Sequence, residues 1–189
     1  MGPLPTPRAS AAGAVLAGKI YVAGGITNHG AVNALECYHP FTDVWSKCAP
    51  MLEPCAYAAC ASLGDYLYVM GGALKLDPIA TVQRYHPRTN SWCRVASLPF
   101  PWFCMTACVH NSRIYLTGGA SEGRTVTDVR SYDPARDEWR LEPPLPVHVS
   151  GHSCVSLTVQ HDVGVALAPA TQPPVEMMNV NTQRKCIIQ

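Results

Sequence analysis

The pair Gly-Gly occurs at 24–25, 71–72 and 118–119, and both steps are 47 residues. An apolar-Tyr-apolar triplet precedes each pair: Ile20-Tyr21-Val22, Leu67-Tyr68-Val69 and Ile114-Tyr115-Leu116. The same step separates Tyr38-His39-Pro40, Tyr85-His86-Pro87 and Tyr132-Asp133-Pro134. It also separates Trp45, Trp92 and Trp139, and again Leu4, Met51, Leu98 and Leu145. Several residue types holding one register without a gap establish an internal repeat, and a repeat limits the fold to stacked copies of one unit.

Each unit reads as four short strands. In the first these are Ala11–Leu16, Lys19–Gly24, Asn33–Tyr38 and Val44–Cys48, supported by alternation and by β-branched or aromatic content. Turn chemistry separates the strands: His-Pro-Phe-Thr-Asp at 39–43, His-Pro-Arg-Thr-Asn at 86–90, Asp-Pro-Ala-Arg-Asp at 133–137. Proline fixes φ, and the closing Asp or Asn tolerates left-handed backbone. The double glycine ends the second strand where the chain turns sharply or approaches a neighbour closely. Helical periodicity is absent. A four-stranded unit of this length cannot bury both faces alone, so it stacks on its neighbours as propeller blades do.

Gly-Gly, Tyr-His/Asp-Pro, Trp and Leu-Pro in this order resemble the kelch repeat. The resemblance covers residues 4–146 and is strongest to the kelch-like family, in which a BTB domain and a helical linker precede the propeller. No Gly-His…Trp-Asp pair marks the units, which disfavours WD repeats. The expected fold is all-β: a partial β-propeller of three complete four-stranded kelch blades plus an incomplete fourth. The blades are placed at 1–49, 50–96 and 97–143. A degenerate start of a fourth is placed at 144–167, with strand character through His152–Val159, and a flexible tail at 168–189. At 161–166 the register calls for apolar-Tyr-apolar and Gly-Gly, but the sequence is His161-Asp162-Val163-Gly164-Val165-Ala166. With neither BTB nor helical region present, the expectation is a truncated product of a longer kelch protein, marginally stable and prone to associate through exposed edges.

Composition removes several function classes. Fourteen basic against thirteen acidic residues give a formal net charge of +1, without a Lys/Arg cluster, so nucleic acid is not expected as a partner. No apolar run approaches the ~20 residues of a membrane span. The nine cysteines are odd in number and form no Cys-x-x-Cys, and several stand in apolar runs, where a free thiol behaves as a small hydrophobe. Reduced thiols and a cytoplasmic location are therefore expected, in preference to a secreted disulfide scaffold. No nucleophile elbow, phosphate loop, His-Glu-x-x-His or suggestively spaced carboxylate pair is present, so the chain is not expected to be an enzyme. Cys104 with Cys108, or Cys55 with Cys60, are the candidate metal-ligand pairs. Each lies in the apolar start of a unit, where core packing is the reading taken, and no metal or cofactor is expected.

A protein-binding surface remains. The loops between second and third strands (26–32, 73–79, 120–126) and those between units (53–57, 100–104, 147–152) lie at one end of the blades. Their residues vary while the landmarks repeat. Asn28, His29, Lys75, Asp77, Glu122 and Arg124 are candidate polar contacts, with plain solvated loop as the alternative; Tyr57, Trp102 and Phe103 are candidate aromatic anchors, with packing between adjacent blades as the alternative for Trp102 and Phe103. The repeated Tyr and Trp residues are instead read as structural. The resemblance implies a substrate-recognition adaptor of a cullin-RING ubiquitin ligase, reaching the cullin only through regions absent from this chain. The alternative is a cytoskeletal protein, since some kelch proteins bind actin.

The sequence finishes with Cys186-Ile187-Ile188-Gln189, which fits Cys-aliphatic-aliphatic-X, with Arg184-Lys185 just upstream. Cys186 is thus a farnesylation candidate, and one lipid beside two basic residues supports only weak membrane attachment. Intact mass of the chain from a eukaryotic host tests this. A farnesyl adduct without the last three residues is expected, and an unmodified chain retaining Ile187-Ile188-Gln189 rejects the modification.

Overall fold

The computed structural model describes residues 2–156 and the backbone of Lys185–Ile188, and contains no helix among them. The first blade comprises β1 (Ala12–Leu16), β2 (Lys19–Ala23), the short strands β3 (Ile26–Thr27) and β4 (Gly30–Ala31), β5 (Leu35–His39) and β6 (Val44–Lys47). The second comprises β7 (Ala59–Leu63), β8 (Tyr66–Met70), β9 (Ala73–Leu74), β10 (Asp77–Pro78), β11 (Val82–His86) and β12 (Ser91–Val95). The third comprises β13 (Thr106–His110), β14 (Arg113–Thr117), β15 (Ala120–Ser121), β16 (Arg124–Thr125), β17 (Val129–Asp133) and β18 (Glu138–Glu142). Each blade is one four-stranded antiparallel sheet, ordered β1-β2-β5-β6, β7-β8-β11-β12 and β13-β14-β17-β18. The strands differ from their expected ends by one or two residues. Gly24, at φ 61, is bent out of β2, and Asn33 precedes the first paired residue of β5.

Blade stacking explains why the second strands are apolar at their centres. In β8, Leu67 and Val69 join the core shared with blade 1, while Tyr68 and Met70 join the core shared with blade 3. Successive side chains of a strand point to opposite faces, and a middle blade buries both. Each fully buried large side chain contributes about 1.5–3 kcal/mol. The repeated tyrosines continue this packing: Tyr21 meets Tyr85 across the first joint at 6.1 Å between ring centroids, and Tyr68 meets Tyr132 across the second at 5.8 Å.

The remaining landmarks tie the outer strands of blades 2 and 3 to the blade before, and that of blade 1 to Gly2. Tyr38, Tyr85 and Tyr132 pair in register with Trp45, Trp92 and Trp139. Their phenols donate to Asp43, Asn90 and Asp137 at 2.5, 2.8 and 2.6 Å. These three acceptors hold left-handed backbone, at φ 55, 48 and 55. Asn90 and Asp137 then accept from the backbone N–H of Ala49 and Ala96, both at 2.8 Å. The indole N–H of Trp45, Trp92 and Trp139 donates to the carbonyls of Gly2, Ala49 and Ala96. The hydrogen bond from Tyr132, helped by the Ala96 N–H, holds the Asp137 carboxyl below the usual carboxylate range. Burial, then the same hydrogen bond, raises the Tyr132 phenol.

The two glycines form the joint at the opposite end of the second strand. Gly25, Gly72 and Gly119 donate their N–H groups to the carbonyls of Cys55, Trp102 and Val149 at 2.8, 2.8 and 2.7 Å. A Cβ on Gly24, Gly71 or Gly118 would stand 2.3, 2.4 or 2.7 Å from those same oxygens.

Past the third blade, β19 (Ser153–Ser156) packs beside β13 as β13 packs beside β7 and β7 beside β1. It falls where the repeat places the first strand of a fourth unit. Within the segment expected as a tail at 168–189, β20 (Lys185–Ile188) runs parallel to β19, with Cys186 opposite Cys154. Pairing satisfies the backbone of an apolar Cys-Ile-Ile run and of a first strand that no described second strand covers. Residues 157–184 and 189 of the expected fourth blade and tail lie outside the described residues.

Arg8 and Glu36 form an ion pair at 2.6 Å with side chains 0% and 1% exposed. Thr6 also donates to Glu36, and Arg8 donates to the carbonyls of Thr6 and Val22. Burial opposes ionisation of Glu36, but hydrogen bonds from Arg8 and Thr6 and the Arg8 charge outweigh it, holding the carboxyl below its ordinary value. A depressed folded pKa stabilises above the ordinary glutamate range and ceases to do so as pH falls through the folded value. Glu36→Gln, which strands the buried guanidinium, is expected to cost about 3–5 kcal/mol near neutrality and to flatten the acid limb of Tm against pH. Gly71→Ala, at φ 57 and facing backbone, is expected to cost more than about 2 kcal/mol in chemical denaturation. A loss under about 0.5 kcal/mol would mean the joint is not close-packed.

Candidate interaction face

The segments expected as loops between second and third strands are tight hairpins. β3 pairs with β4, β9 with β10 and β15 with β16, each pair antiparallel and closed by two residues. A two-residue connection between such short strands gives no periodicity to read, which is why the sequence shows only a loop. The tips are Asn28-His29, Lys75-Leu76 and Glu122-Gly123. Lys75 and Leu76 both hold positive φ, at 52 and 72, and so do Glu122 and Gly123, at 49 and 74. Positive φ at both central residues marks the type I′ turn, whose twist matches that of its flanking strands.

The lead-in segment of each blade is laced to these hairpins. Ala9, Ala56 and Phe103 bridge to Ile26, Ala73 and Ala120, the first residues of the three hairpins. Cys55 also accepts from Gly25 of the preceding blade, and Trp102 donates its N–H to Ile79 at 3.1 Å. The lead-in of blade 2 therefore lies between the first and second hairpins, and that of blade 3 between the second and third. A further ladder joins the lead-ins to one another: Tyr57 donates to Ser10, Cys104 to Tyr57 and Gly151 to Cys104, at 3.0, 2.9 and 3.0 Å. These four residues recur at the 47-residue step and all hold left-handed backbone, at φ 51, 59, 54 and 63. The sequence conceals this ladder because backbone makes it, and its members are Ser, Tyr, Cys and Gly.

The nine candidate contact residues fall into three groups. Asn28, His29, Lys75, Asp77, Glu122 and Arg124 are exposed on the hairpins. Lys75, Glu122, Asn28 and His29 stand at the tips, with Asp77 and Arg124 opening the return strands. Tyr57 and Phe103 are half-buried between neighbouring hairpins. Trp102 differs: it is 0% exposed, stacks on Phe100 and donates its indole N–H to the Gly118 carbonyl at 2.6 Å. It fills the joint between blades 2 and 3, which leaves it no surface for a partner. Packing claims it because its position lies directly under the glycine pair of its own blade.

Sequence reasoning passed over Leu76. It is 77% exposed at the second hairpin tip, where a large apolar side chain gains nothing from the fold. The readable signal is an apolar residue between Lys75 and Asp77 in a turn. At the third hairpin the rim is braced from the far side by His148, whose Nδ1 donates to the Thr125 carbonyl at 2.9 Å. His152 hydrogen-bonds Thr117 Oγ1 through Nε2 at 2.9 Å, and burial pushes its imidazole below the ordinary histidine value. The face is thus a rim of backbone hydrogen bonds carrying three short hairpins, the second and third closed by type I′ turns and the first turning at Asn28-His29 with its positive φ on Gly30.

Comparison with known proteins agrees with this architecture. The chain is similar to a solved structure described as "Structure of YjhT", with a TM-score of 0.67 and 22% identity, over 82% of this chain and 56% of that one. At that identity the likeness concerns the fold, and this chain spans little more than half the length of that protein. A family model described as the kelch motif matches residues 7–52, 54–99 and 101–146, one segment per blade. Kelch repeats build protein-interaction propellers, and with three of them covering most of its length this chain belongs to the kelch-motif family.

Proposed function

We propose that the hairpin rim recognises a protein client, with Leu76 as an apolar anchor among the polar hairpin residues Asn28, His29, Lys75, Glu122 and Arg124. The observation that carries this reading is the contrast between hairpins rooted at the same place in every blade and tips whose residues do not repeat. A rigid scaffold holding variable side chains binds without paying for loop ordering, so a few exposed residues can dominate affinity. Both charge signs are present, as Lys75 with Asp77 and Glu122 with Arg124, which favours a client surface of mixed charge over a uniformly acidic or basic one.

By resemblance to kelch-like proteins, the proposed client is a substrate of a cullin-RING ubiquitin ligase, selected by this propeller and presented in a cytoplasmic complex. Affinity capture from cell lysate with the full chain, followed by identification of bound proteins, tests the reading. At least one ubiquitin-pathway client is expected, with its recovery reduced about tenfold by Leu76→Asp. Recovery of actin in place of such a client, or equal recovery by the variant, overturns it.

A further inference from the structure

The first strands of successive blades line up side by side, and with them their cysteines. Cys60 lies in β7, Cys108 in β13 and Cys154 in β19, and all three line one cavity of about 310 Å³. Cys108 and Cys154 are 46 residues apart, one short of the repeat, so they sit one register step from each other on adjacent strands. Their thiols are hydrogen-bonded to one another. We propose that Cys108 and Cys154 form a redox-active dithiol that a peroxide converts to a disulfide, joining the first strand of blade 3 to β19.

The surroundings single out this pair. The hydrogen bond from Cys154 lowers the Cys108 thiol below its ordinary value, although burial works against it. Burial instead raises the neighbouring Cys60 thiol, and pushes Cys55 up to about 12. The thiolate is the reactive form, so Cys108 is the attacking sulfur and Cys60 is not. The remaining cavity lining is small, Ala14, Ala61 and Ala107 among it, which leaves room for an oxidant of peroxide size.

The chemistry balances in two displacements. Cys108 thiolate attacks one peroxide oxygen, the O–O bond breaks, and the departing hydroxide takes up the proton that Cys108 released. This leaves a sulfenic acid on Cys108 and one water. Cys154 sulfur then attacks the Cys108 sulfur, the S–O bond breaks, and hydroxide leaves with the Cys154 proton as a second water. Two thiols thereby supply the two electrons that reduce one peroxide to two waters. Because the two strands are already in contact, the crosslink needs little backbone movement, and it fixes β19 to the blade stack. The proposal is independent of what the rim binds.

The reduced full-length chain is treated with hydrogen peroxide, its remaining thiols are alkylated, and unreduced peptides are mapped by mass spectrometry. The expected product is a reductant-reversible Cys108–Cys154 peptide with loss of two alkylatable thiols and a raised Tm. Cys108→Ser and Cys154→Ser each abolish it, while Cys60→Ser, Cys93→Ser and Cys186→Ser retain it. The map of the unaltered chain is decisive should a serine variant fold poorly. Sulfinic acid on Cys108 without a link, a Cys154–Cys186 link in its place, or oxidation confined to exposed Cys93 overturns the proposal.

Discussion

The contact between each glycine pair and the lead-in backbone of the following blade governs how this chain is assembled. A carbonyl oxygen of one blade lies where a side chain of the other would begin, 2.3 Å from the Cβ site at Gly24 and 2.4 Å at Gly71. Only glycine leaves that space, and only glycine takes the paired φ values of 61 and 106, or 57 and 99, without strain. The N–H of the second glycine then finds its acceptor on the same neighbouring backbone. Backbone-to-backbone approach sets the spacing between blades, and the side-chain cores fill what that spacing allows.

Stacking set in this way makes the molecule nearly one-dimensional, since each blade touches only its neighbours. The consequences are visible in β8, the middle copy of the second strand, which buries side chains on both faces. They are also visible at the outer strands, where an indole N–H and an Asp or Asn side chain reach back to one carbonyl and one N–H of the preceding blade. Glycine joint, tyrosine pair and tryptophan tie act at three radii along the same blade. Loss of any one would let adjacent sheets pivot on the other two.

The parts of the fold that depend on particular side chains were legible in the sequence. Gly71-Gly72, Tyr85 and Trp92 recur because no other residue meets their constraint, so their spacing located every four-stranded sheet. Interactions made by the backbone were not legible. The ladder through Ser10, Tyr57, Cys104 and Gly151 imposes a left-handed conformation, but four different residues tolerate it. The hairpins escaped notice for a related reason, since two-residue strands have no period. For Trp102 the sequence left two readings open, a surface anchor or packing between adjacent blades, and the glycine joint that buries the lead-in selects the second. The six polar candidates were legible as exposed because they vary between units, and variation at a fixed backbone position signals freedom from packing.

That freedom is not used equally by the three tips. Type I′ turns favour Asn or Asp followed by Gly, because both central residues need positive φ. The third hairpin meets half of that requirement with Gly123. The second meets none of it, holding Lys75 and Leu76 at φ 52 and 72, where each non-glycine residue is strained by about 1–2 kcal/mol. Leu76 offsets nothing within the fold, since its side chain is 77% exposed. No contact within the described fold compensates that local strain at the tip. The same backbone that the glycine joints hold rigid can retain such a turn, because the hairpin root is fixed through Ala56 and Ala73 whatever occupies the tip. A fixed root and a strained tip are therefore two ends of one arrangement, in which the repeat supplies the position and the tip residues are free to differ.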